Sequence, residues 1–193
     1  MGSFLTNITL HGPTQAEVAA AVRELLPDCE AYISPNRNGW VTFYGDSFED
    51  QDAPNLIAAA ADLCEHCGAD GFASLVHDSD VLLFWVIAKD GGLIAEYNSC
   101  PGYFSDEEDA DVVVSTEEIA EALAGLSGGA VLPTTITAVL TAEDTFAEET
   151  LEAVGEALGA ADLGVGFDIL QEDEANNGEI VSDWEQFLHV EPK

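Results

Sequence analysis

Apolar and polar positions roughly alternate through Phe4-Leu5-Thr6-Asn7-Ile8-Thr9-Leu10, a spacing that predicts a β-strand near the start of the chain. The period then changes. Thr14-Gln15-Ala16-Glu17 has the form of a capping box, and Val18, Val22, Leu25 and Leu26 follow at helical spacing until Pro27 stops the run. Two β-rich runs come next, 30–34 and 40–44, and Pro35-Asn36-Arg37-Asn38-Gly39 between them reads as a hairpin turn. Asp52 and Pro54 open a second helix with Leu56, Ile57, Ala60 and Leu63 on one face and Gly68 as its stop. Residues 72–76 form another strand.

Strand, helix, strand, strand, helix, strand is the order of a split βαβ, ferredoxin-like unit. Residues 81–88 are apolar throughout, which predicts a central strand, and 93–98 follow across the turn Asp90-Gly91-Gly92. This hairpin extends the sheet. Past Phe104 the character changes. The acidic stretch 105–111 reads as a linker, and Ser115-Thr116-Glu117-Glu118 caps a short helix carrying Ile119, Leu123 and Leu126, broken at Gly128-Gly129. Thr145-Phe146-Ala147-Glu148 opens another helix, carrying Leu151, Val154 and Leu158 and ended by Gly159. From Gly164 onward apolar pairs mix with acids and no element is assigned. The expectation is an α+β protein. A ferredoxin-like antiparallel sheet core occupies 1–104. An acidic, mostly helical region, 105–193, packs on it or forms a small subdomain.

Charge changes the picture most. The chain has 38 Asp and Glu against 4 Lys and Arg, a formal net charge of −34 on 193 residues, and its bases are Arg23, Arg37, Lys89 and Lys193. Residues 1–104 hold 15 acids and 3 bases, and residues 105–193 hold 23 acids and 1 base. Few of the acids can be paired, so self-repulsion opposes compaction. Phosphate contacts need clustered Lys and Arg, which excludes nucleic-acid binding, and anionic membranes are disfavoured for the same reason. No apolar run approaches the roughly 20 residues of a membrane span, and no signal segment is present. A soluble cytoplasmic protein is expected. Hydrophobic residues make up 47% of the chain, enough for a core. Met1-Gly2-Ser3-Phe4-Leu5-Thr6 fits the myristoylation pattern and also simply leads into the first strand.

The densest polar cluster combines two segments. Val76-His77-Asp78-Ser79-Asp80-Val81 is a tight turn between strands, and antiparallel pairing of 81–88 with 93–98 brings Asp80 toward Asn98-Ser99-Cys100. His77, Asp80 and Cys100 contain the groups of Cys–His–Asp nucleophilic catalysis, while Asp78, Asn98 and Tyr103 are the candidate ligand-binding residues. Asp and Ser in a short turn also bond their own backbone, and no oxyanion motif accompanies the cluster.

Cys64-Glu65-His66-Cys67 is a CxxC with an intervening His, so Cys64, His66 and Cys67 are candidate metal or redox residues. A zinc site wants about four ligands and only one pair exists. The motif ends a helix instead of opening one, the arrangement least suited to lowering a thiol pKa. The loop from Asp173 has Gly178 at the sixth place of an EF-hand, but Ala175 and Trp184 stand where ligands are needed. No cofactor is expected. Most of the aromatic residues between Trp40 and Phe104 read as core, with Tyr103 and Phe104 as a possible binding face.

His77-Asp78-Ser79-Asp80-Val81-Leu82, with Phe84-Trp85, Asp90-Gly91 and Glu96-Tyr97-Asn98-Ser99-Cys100-Pro101-Gly102-Tyr103-Phe104, resembles a motif block of uncharacterised bacterial proteins. That family has no assigned activity, so the resemblance implies a recurrent turn-and-hairpin module and no catalytic role. The acidity is also similar to that of small immunity proteins and DNA mimics. The leading expectation is a non-enzymatic protein whose acidic face binds a basic partner or occupies a nucleic-acid-binding site. The alternative is an enzyme or small-ligand domain using His77, Asp80 and Cys100, with the charge an adaptation to high salt.

Overall fold

The computed structural model of the chain describes residues 2–104, 115–142, 146–160, 162–176, 178, 180–181 and 183–193. The acidic stretch 105–111 and Thr145 lie outside them. The element order is β1 (Leu5–His11), α1 (Gln15–Leu25), β2 (Ala31–Ile33), β3 (Trp40–Gly45), α2 (Ala53–Cys67), β4 (Gly71–His77), β5 (Val81–Ile87) and β6 (Leu93–Asn98). Helices α3 (Thr116–Leu126), α4 (Pro133–Leu140), α5 (Ala147–Leu158) and α6 (Phe167–Ala175) follow, then β7 (Leu188–Val190). The protein is α+β.

Local signals act where the side chains can form the bonds. Thr14 accepts from the Glu17 N–H while the Glu17 carboxylate accepts from the Thr14 N–H, which closes the capping box of α1. Asp52 caps α2 and Gly68 ends it in the left-handed conformation. The start of α5 differs from expectation. Phe146 is its N-cap, with Glu149 reaching back to the Phe146 N–H, and Glu148 accepts from the Ser3 and Ser79 hydroxyls.

The seven strands form one antiparallel sheet in the order β6-β5-β4-β1-β3-β2-β7. β1 is therefore the middle strand, and the expectation that 81–88 is central is corrected: β5 is second from the edge. Its unbroken apolar run has another cause, since both of its faces are buried. Val81, Leu83, Trp85 and Ile87 enter a core with α1 and α2, whereas Leu82, Phe84 and Val86 enter a second core with α3 and α5.

The second face also carries a buried polar stripe. Asn7 pairs in register with Ser74 and Thr9 with Thr42, and both pairs are hydrogen-bonded through their side chains, at 2.6 and 3.1 Å. Asn7 Nδ2 donates to the Leu163 carbonyl, Trp40 Nε1 to Leu158, Tyr44 Oη to Asp162 and Asn38 Nδ2 to Gly159. Three strand side chains and Asn38 of the β2–β3 turn thus hold the connection between α5 and α6. β7 returns the end of the chain to the sheet beside β2, so the C-terminal region is not purely helical. Three residues are too short a run for alternation to reveal a strand.

Candidate functional site

The turn between β4 and β5 has three residues, Asp78, Ser79 and Asp80, between the paired His77 and Val81, and both Asp78 (φ 52°) and Ser79 (φ 61°) are left-handed. Asn-Gly would suit it better, and the strain is held by neighbours. Ser79 Oγ accepts from the Ser3 N–H at 2.7 Å and donates to Glu148 Oε1 at 2.9 Å, and Ser3 Oγ donates to the same oxygen. The Ser3 carbonyl accepts from the Ser79 N–H and the Ser79 carbonyl accepts from the Ala147 N–H. A Cβ at Gly2 would collide with Asp78, so glycine at this position has a packing reason of its own.

His77 ends β4 and is half-buried. Its Nδ1 lies 2.6 Å from Gln51 Oε1, and Gln51 Nε2 donates to the Val76 carbonyl at 2.6 Å. Because that amide nitrogen donates, the amide oxygen must accept, which assigns the ring proton to Nδ1 and leaves Nε2 as the acceptor of the neutral imidazole. Gln51 itself is left-handed, at φ 58°. Around the imidazole, Phe4, Tyr103 and Phe104 pack edge-on at centroid distances of 4.9, 5.6 and 5.1 Å. These three rings are 46, 40 and 58% exposed, an unusual surface for aromatic side chains.

A groove of about 560 Å³ opens beside this cluster, walled by Phe4, Leu75, Leu83 and Phe104 and bordered by Asp50 and Asp52. Partial burial, then Asp78, Asp80 and Cys100, push the Tyr103 phenol up, so these three predicted residues lie within electrostatic reach of the ring. Glu49 also lines the groove. Burial first, and Asp168 second, push its carboxyl up to about 7.

The groups of the nucleophilic reading share one end of the sheet, and among the described residues they form no hydrogen-bonded triad. The end of β6 does meet the start of β5, where Ser99 Oγ accepts from the Leu82 N–H and the Ser99 N–H donates to the Leu82 carbonyl. Asn98 Oδ1 then accepts from the Cys100 N–H at 2.8 Å, and Cys100 is exposed. Among the described residues the imidazole bonds Gln51, and neither Asp80 nor the Cys100 thiol is hydrogen-bonded to it.

The CxxC is split by the helix surface. Cys64 is buried, and burial followed by Cys67 and Asp70 push its thiol up to about 12; burial also raises Cys67. His66 points away toward Glu24 at 4.0 Å. Among the described residues no group of three His, Cys, Asp or Glu could hold a metal ion. Asp173, the first residue of the calcium-like loop, is fully buried and accepts from the Ile180 and Val181 N–H groups, which ties those two residues to α6.

Gln51, Glu49 and Phe4 were not singled out in the sequence. The turn-like Asp-Gln-Asp run before α2 hid Gln51, and only the pairing of β4 with β1 places Phe4 beside His77. A second polar cluster was missed as well. His189 on β7 stacks on Tyr32 at 4.7 Å, and its Nε2 lies 2.9 Å from Glu30 Oε1, while the Tyr32 hydroxyl donates to Glu174. This cluster joins β7, β2 and α6.

No protein-family model, curated protein or solved structure matches the chain. Fold and site alone define an α+β protein with an aromatic groove at one end of its sheet, bordered by carboxylates and lined by no Lys or Arg.

Proposed function

We propose that this is a non-enzymatic acidic interaction protein of the cytoplasm that binds a basic partner through the His77 end of its sheet. The observation that carries the reading is the coincidence of exposed aromatic rings with unpaired carboxylates. Phe4, Tyr103 and Phe104 stand in the open with Asp50, Asp52, Asp78 and Asp80 near them, and among the described residues no Lys or Arg side chain pairs with these carboxylates. Aromatic residues mark the anchoring centre of an interface, and a rim of one charge sign steers the opposite sign toward it. Among the described residues the one Lys or Arg side chain paired with a carboxylate is Arg37, on Asp183. Four free thiols support a reducing compartment.

The strand order β4-β1-β3-β2, with α1 and α2 on one face, supports reading the core as a ferredoxin-like split βαβ unit that β5 and β6 extend. The test is affinity capture from a lysate followed by elution in a KCl gradient. A specific partner should be basic, should elute between about 0.05 and 0.5 M salt as screening grows, and should be lost when Asp50 and Asp80 are changed to Lys. A partner whose binding ignores ionic strength overturns the proposal.

A further inference from the structure

Resting on the reading above, we propose that the groove beside His77 is a receptor for an arginine side chain of the partner. Four features of the groove select that group. Its walls, Phe4, Leu75, Leu83 and Phe104, are apolar and suit the methylene stem of a long basic side chain. Two of those walls are aromatic rings standing 46 and 58% exposed at the mouth, where a planar guanidinium stacks and a compact, strongly hydrated ammonium does not. Asp50 and Asp52 at the border are exposed carboxylates; Oδ1 of each accepts a backbone N–H, from Asp52 and Asn55, and the second oxygen of each can accept from a guanidinium.

The fourth feature is His77. With Nδ1 committed to Gln51, the imidazole offers Nε2 as an acceptor, and among the described residues no donor occupies it. A guanidinium has five donors and no acceptor, so it suits the border carboxylates and the open imidazole nitrogen. No Lys or Arg lines the groove, which argues against an anionic ligand, and the carboxylate border argues against a purely apolar one. At about 560 Å³ the space falls within the range of ligand clefts, roughly 300–1,000 Å³.

The experiment is isothermal titration of the intact protein with nona-arginine and, separately, nona-lysine, in wild type and Phe104→Ala. Phe104 is mostly exposed, so its truncation leaves the fold intact, which circular dichroism of the variant checks. Wild type should bind nona-arginine about tenfold tighter than nona-lysine, equivalent to ~1.4 kcal/mol. Phe104→Ala should remove that preference, weakening nona-arginine by more than it weakens nona-lysine. Phe4→Ala is a second variant among the groove's aromatic residues and should act alike. Equal affinity for the two peptides, unaltered by either variant, overturns the arginine receptor while leaving the acidic interaction reading in place. Failure of both peptides to bind at low salt overturns both.

Discussion

Ser79 occupies a left-handed turn position without glycine because hydrogen bonds to Ser3, Glu148 and Ala147 hold it there. Ser79→Ala removes one bond to a backbone N–H and one to a carboxylate. It should lower unfolding stability by about 2 kcal/mol in urea, against a smaller loss for Ser3→Ala. The cysteines make a second prediction at this scale. Cys100 is exposed, whereas Cys64 is buried with its thiol raised to about 12, so a thiol-alkylating reagent should label Cys100 first and Cys64 last. Peptide mapping of the labelled protein reads the order, and early labelling of Cys64 would show that α2 opens locally. His77, Asp78 and Tyr103 were legible in the sequence because turn chemistry and strand pairing are short-range. Gln51 was not, since its partner lies 26 residues away and only the packed strands bring the two together.

At the level of elements, Glu49 couples the segment before α2 to the first turn of α6. Its carboxyl interacts with the Phe167 N–H and with Asp168, and its folded value of about 7 stands above the ordinary 4.5. A raised carboxyl means that the fold favours the protonated form. Stability from this group is complete below about pH 4.5 and is lost as pH rises through about 7. Glu49→Gln keeps a neutral side chain there. It should match wild type near pH 4.5 and exceed it at pH 8, by about 1 kcal/mol once partial exposure is allowed for. Thermal midpoints of the two proteins across that range measure the difference, and parallel curves would remove Glu49 from the account. Helices α1, α2 and α3 were legible because a cap, a stripe and a stop fall in order along the chain. α4, α6 and β7 were not: α4 buries a single residue, Ile136, and α6 is tied down through Asp173, which accepts from the Ile180 and Val181 N–H groups, and through Glu49 at its first turn.

For the whole molecule the governing quantity is −34 charges on one chain. The Debye length falls from about 10 Å at 0.1 M salt to about 3 Å at 1 M, so screening should raise the thermal midpoint as KCl increases. Two apolar cores on opposite faces of one sheet oppose the repulsion, and the protein should therefore remain folded at low salt. Circular dichroism across KCl reads both effects. A chain that folds only near molar salt would make the acidity an adaptation to habitat. The sequence by itself determined the charge, the first six elements in their order and the turn that carries His77, because composition, periodicity and capping act over a few residues. Tertiary structure decided which strand is central, where the C-terminal strand docks and what surrounds His77. Those outcomes depend on contacts between segments far apart in the chain, which no local pattern encodes.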